Sequence, residues 1–143
     1  MKRITITISF SVLPLALATL LGACRYPVDH PGACALINGA TRAVVTIYHQ
    51  ENTSTSEYVI TDSKRIDKLV DFANARRDSA QPTLYTMPSS TLDVAFYHKA
   101  AFLGLLGSGR NFFFVSCDNW KGIRTASGAE LQEFKQLTLG QGR

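Results

Sequence analysis

Residues 92–117 read LDVAFYHKAAFLGLLGSGRNFFFVSC, and this stretch decides the fold. Leu92 to His98 alternates, with Leu92, Val94, Phe96 and His98 on one side and Asp93, Ala95 and Tyr97 on the other. Period-two alternation is the signature of a strand. Lys99-Ala100 makes a turn, and Ala101 to Leu106 is a second apolar run. Gly104 inside it marks a bulge or a close backbone approach. Gly107-Ser108-Gly109-Arg110-Asn111 is the next turn, and Phe112 to Cys117 is a third, strongly apolar strand. Alternation sends Phe112 and Phe114 to one face and Phe113 to the other. Three consecutive strands joined by tight turns form an antiparallel meander.

The same patterns extend outward. Ala43 to His49 (AVVTIYH) is β-branched and aromatic and reads as a strand. Gln50 to Thr55 is polar, and Ser56 to Thr61 alternates again, so the two form a hairpin. Asp62 to Arg77 is the best helix. Ile66, Leu69, Val70 and Ala73 follow the i, i+3, i+4, i+7 spacing, Phe72 stands at the edge, Asp62 caps the start, and Arg76 and Arg77 complement the dipole at the end. Pro82 and Pro88 mark a loop over Asp78–Thr91. Beyond the meander, Asp118 to Ala126 reads as irregular and carries Trp120. Ser127 to Leu137 is a second helix, opened by the Ser127…Glu130 capping box. The order β-β-α-β-β-β-α predicts a two-layer α+β domain over residues 43–143, an antiparallel sheet of about five strands with two helices on one face. Several strands carry apolar side chains on both faces. The second face is therefore expected to be partly covered or to serve as a contact surface.

The N-terminal segment speaks to location. Met1-Lys2-Arg3 is a positive start, and Ile4 to Ala23 carries no charge, the pattern of a secretory signal peptide. The run has about the 20 residues that cross a bilayer, but Pro14 and scattered Ser and Thr weaken it as a permanent span. Its end, Leu21-Gly22-Ala23-Cys24, resembles the lipobox of bacterial membrane lipoproteins. The resemblance implies removal of residues 1–23, a diacylglycerol thioether on the Cys24 thiol with a fatty acid such as palmitate on its new amino group, and a lipidated tether over residues 24–42. Arg25, where an aspartate favours inner-membrane retention in Gram-negative members of that family, points to the outer membrane. The domain would then face the periplasm or the cell surface.

Removing residues 1–23 from the 143 leaves 120, enough for one domain with its own core. Lys2 and Arg3 leave with the signal, so 13 of the 15 basic residues remain against 11 acidic ones. That small excess gives no electrostatic footprint for nucleic acid. With Cys24 acylated, Cys34 and Cys117 are an even pair in an oxidising compartment, and a disulfide between them is expected. The alternative is two thiols. No CxxC or HxxxH spacing marks a metal site, and no cofactor motif is present.

Other residues with chemical potential are few. His30, His49 and His98 are the only histidines. His49 and His98 each end a strand, and could meet in space if those strands are neighbours. Gly107-Ser108-Gly109 lacks the spacing of a phosphate loop and reads as a strand turn. Asn52-Thr53-Ser54 fits a glycosylation sequon but reads as a hairpin tip. Phe113, Trp120 and Tyr97, flanked by Arg110, Lys121 and Arg124, are either core and solvated loop charges or an aromatic protein-binding patch. With no nucleophile–base or metal-ligand set, the chain is expected to be no enzyme. It reads as a membrane-anchored envelope protein with an interaction or accessory domain, alternatively a binder of a small ligand or cell-wall glycan.

Overall fold

The computed structural model describes residues 35–49, 54–83, 89–117 and 120–140, all within the compact unit Gly32–Arg143. The signal segment, Cys24, His30, Cys34 and the Asn52-Thr53 pair lie outside the described residues. Nine elements follow one another among the described residues. They are β1 (Arg42–Tyr48), β2 (Thr55–Ile60), α1 (Ser63–Arg77), β3 (Gln81–Pro82), β4 (Leu92–His98), β5 (Ala101–Ser108), β6 (Phe112–Cys117), β7 (Trp120–Thr125) and α2 (Gly128–Leu139).

All strands join one antiparallel sheet in the order β2-β1-β4-β5-β6-β7-β3. The meander sits at its centre, and the N-terminal hairpin adds to it through β1. The class is the expected α+β, but the sheet has seven strands rather than about five. The additions are β7 and β3. The sequence of β7, WKGIRT, has two cations and a central glycine, so it carries no apolar alternation. It becomes a strand by pairing along β6, where the Trp120 ring lies over Gly122 so closely that a Cβ there would fall 2.1 Å from it. The two residues of β3 pair with β7 at the sheet's outer edge, where the N–H that Pro82 lacks would meet no further strand.

Cross-strand partners share a face. The rows Val45–Val94–Leu106–Val115 and Ala43–Phe96 therefore point to one side, together with Phe113. Both helices reach that side. Phe72 of α1 stacks on Phe134 of α2 at 5.5 Å between ring centroids, and Phe113 meets both edge-on at 5.6 Å. Ile66, Leu69, Phe72, Ala73 and Phe134 complete the core. Phe72, expected at the helix edge, belongs to its centre.

The caps form as read. Asp62 accepts from the Arg65 N–H at 2.8 Å, and the Ser127–Glu130 box closes in both directions. The second helix runs on to Leu139 and stops at Gly140, which takes the left-handed conformation, φ 68°. Its last turn is held from outside. Arg65 Nε donates to the Leu137 carbonyl at 2.8 Å, and Tyr58 and Arg65 Nη2 both donate to the carbonyl of Thr138. The stretch before β1 is likewise built onto the domain. Ile37 is buried against Gly104, and Asn74 brackets its backbone, accepting from the N–H and donating to the carbonyl at 3.0 Å each.

Candidate functional site

The face of the sheet opposite the helices carries the first candidate. Pairing lines up Val59, Val44, Ala95 and Leu105 in one row across β2, β1, β4 and β5. Val59, at the sheet edge, is 54% exposed, and the other three are half-buried. A second row sets Arg42, Tyr97 and Phe102 side by side. The Arg42 guanidinium lies 4.7 Å from the Tyr97 ring centroid, and the Phe102 ring meets Tyr97 edge-on at 5.7 Å. The two rows make a continuous apolar and aromatic surface with one cation at its border. It runs out to β2, which among the described residues has no strand on its far side. A six-residue edge beside apolar side chains is a place where another chain can pair or pack.

Further along the same face lies a buried acid. Asp93 is 7% exposed. Tyr48 donates to its Oδ2 at 3.1 Å, while its Oδ1 makes no hydrogen bond and sits over Gly107 beside the Phe114 ring. Gly107 is required there, because a Cβ would stand 2.0 Å from Phe114 and 2.5 Å from Asp93 Oδ1. Burial pushes the carboxyl of Asp93 up from the ordinary value, against hydrogen bonds from Ser90 and Tyr48 that pull it down. The Tyr48 hydroxyl is raised too, first by burial and then by the negative charge of Asp93.

The second candidate is a cavity of about 450 Å³ beside α2. Ile47 and Leu92, cross-strand partners on the helix-bearing face, form its floor, and Leu131 and Leu139 form a wall. Arg110, from the turn between β5 and β6, and Lys135 stand at its rim with Tyr48 and Thr91.

The residues singled out by sequence are not brought together. Phe113 is 0% exposed and is a core residue, which corrects its place in a surface patch. Trp120 is half-buried over Gly122 and packs against the core on the helix-bearing face. Arg124 is on that face as well, in an ion pair with Glu130 at 2.9 Å. Tyr97 lies on the opposite face, and Arg110 lines the cavity. Only Tyr97 contributes to the exposed surface described above. Val59, Val44 and Phe102, which make most of it, were legible as strand residues, but their common row depends on long-range pairing.

His49 and His98 do not meet. They follow and end neighbouring antiparallel strands, so they sit at opposite ends of the sheet. His49 bonds Ser56 Oγ at 3.0 Å, and His98 Nδ1 donates to the Gly39 carbonyl at 2.7 Å. Cys117 is disulfide-bonded. The other cysteines of the chain, Cys24 and Cys34, lie outside the described residues. No described helix is long and apolar enough to cross a membrane. Comparison with protein-family models, with curated proteins and with solved structures finds no match.

Proposed function

We propose that the chain is a lipid-anchored protein of the bacterial cell envelope whose domain works by binding a protein partner rather than by catalysis. The lipobox-like run Leu21-Gly22-Ala23-Cys24 supports the anchor, and Arg25 supports outer-membrane residence. The observation that carries the interaction reading is the apolar row Val59–Val44–Ala95–Leu105, half-buried except for the exposed Val59, with Arg42, Tyr97 and Phe102 beside it. The core draws on the other face of the sheet, so nothing in helix packing accounts for this one. Aromatic and Arg anchors beside aliphatic surface are the residue types that carry binding energy at protein interfaces.

The test is in-cell crosslinking of the full-length protein. The wild type is expected to capture an envelope protein. Val59→Glu, at a site exposed enough to leave the fold intact, is expected to lose the crosslink with an unchanged melting temperature. Cys24→Ala is expected to lose palmitate labelling and to leave the membrane fraction. Capture unaffected by Val59→Glu would rule out this surface, and palmitate retained in Cys24→Ala would rule out the anchor.

The cavity favours a second reading, a small-ligand binder. Its size falls within the 300–1,000 Å³ typical of ligand pockets, and its aliphatic floor and wall leave a few polar groups at the rim.

A further inference from the structure

We infer that the cavity beside α2 binds an amphipathic anion, an acyl chain ending in a carboxylate or phosphate. The inference rests on the small-ligand reading and names its ligand class. Three features select that class. The first is the helix itself: Leu131, Lys135 and Leu139 are spaced by four residues, so they lie along one face of α2, and all three line the cavity. That face is turned away from α1, which α2 meets through Phe134. The second is the floor, Ile47 and Leu92, a cross-strand pair on the helix-bearing face. An apolar body is the occupant such surfaces favour, since burying it removes hydrocarbon from water on both sides. The third is charge. Arg110 and Lys135 share the rim, and neither has an ion-pair partner among the described residues, although Arg76, Arg77 and Arg124 each do. Two acids of neighbouring elements are engaged elsewhere. Glu130 is held by Ser127 and Arg124, and Asp93 lies on the opposite face of the sheet under Tyr48. Two unneutralised cations over an aliphatic floor fit a ligand with an anionic head and an apolar tail. A glycan would instead need several convergent hydrogen-bonding groups that accept as well as donate, whereas the two hydroxyls of the lining, Tyr48 and Thr91, each already donate to a protein acceptor, and the other polar side chains are cations.

The experiment is calorimetric titration of the full-length chain in phosphatidylcholine nanodiscs, with empty discs as the blank. Decanoate is expected to bind. Decanol, which has the tail without the charge, and acetate, which has the charge without the tail, are each expected to bind at least tenfold more weakly. The double variant Arg110→Ala/Lys135→Ala is expected to lose at least tenfold in decanoate affinity, the loss one charged hydrogen bond supplies at about 1.4 kcal/mol. Both residues are exposed, so its melting temperature should stay at the wild-type value. Discs containing phosphatidylglycerol separate the two sources of the ligand. Competition with decanoate assigns the site to a bilayer lipid, and its absence assigns the site to a free acyl anion. Equal binding of decanol, or an unaltered double variant, would overturn the inference. Binding of an N-acetylglucosamine oligomer in place of decanoate, lost in the double variant, would also overturn it while leaving the small-ligand reading intact. Failure of every probe would remove both.

Discussion

At the scale of single residues, Asp93 is the least expected feature. It stands near the start of β4, an interior strand, with one carboxylate oxygen bonded by Tyr48 and the other unpaired against Phe114 and over Gly107. A buried carboxylate short of donors is costly, and its raised pKa expresses that cost. The folded state holds the proton more tightly than the unfolded chain, whose carboxyl has the ordinary value of 3.8. Stability therefore falls as pH rises through 3.8 toward the raised value, and above that the penalty is constant. Asp93→Asn keeps an oxygen for Tyr48 and removes the charge. It should be more stable than the wild type at pH 7, and the gap should close as the pH drops below the ordinary carboxylate range. Urea midpoints measured across that range decide the matter. A gap independent of pH would place the effect in packing instead. Nothing in the sequence marked Asp93 as buried. Alternation put it on the second face, and the closeness of Phe114 follows only from the Asp93–Gly107–Phe114 register.

At the scale of elements, the two helices and the central strands were readable because their signals are local. A capping residue, an apolar stripe and period-two alternation act within a few residues of one another. The Ser127–Glu130 box shows how much such a signal carries. Glu130 accepts from the Ser127 backbone N–H at 2.9 Å and from Arg124, and its carboxyl is held below the ordinary value chiefly by that backbone hydrogen bond. Here the sign is opposite to that of Asp93. The stabilisation is present above the unfolded carboxyl's range and is lost as pH falls through the lowered value. Ser127→Ala should cost about 1 kcal/mol. Glu130→Gln should flatten part of the acid limb of the stability profile, as measured by chemical denaturation from neutral to acid pH. An acid limb identical to the wild type would show that the box contributes no proton linkage. The strands β3 and β7 were not readable for the converse reason. Neither WKGIRT nor Gln81-Pro82 has a local pattern, and each exists because a neighbour offers an open edge. Trp120 marks the same limit. Its segment reads as irregular in sequence, with core packing or an exposed patch both open for the ring; it packs over Gly122, so Trp120→Ala should lower the melting temperature rather than act on partner binding alone. An unchanged melting temperature would return Trp120 to the surface.

At the scale of the molecule, the cysteines join location to stability. Cys117 is in a disulfide, and it ends β6, the strand whose Phe113 joins the two helices. The sequence contains only Cys24 and Cys34 as possible partners. Transfer of a diacylglyceryl group to Cys24, as proposed above, would convert its thiol to a thioether and leave Cys34 to pair. The fold supports that choice. A Cβ placed on Gly104 would lie 3.3 Å from the Ile37 side chain and 3.4 Å from the Ser116 carbonyl, so the residue three after Cys34 and the residue one before Cys117 converge on one glycine. A bond between Cys34 and Cys117 would close a loop through nearly the whole domain and hold the end of the tether against the sheet. In the chain-entropy model a loop of that length contributes about 4–5 kcal/mol. Reducing agent should therefore lower the unfolding midpoint of the full-length protein. Cys34→Ser and Cys117→Ser should each reproduce that loss, and the two together should add nothing further, because they remove the same bond. Cys24→Ala should leave the midpoint unchanged while abolishing acylation. If Cys24→Ala instead carries the stability loss and Cys34→Ser does not, Cys24 is the bonded partner, its sulfur is not free for lipid, and the anchor reading fails with it.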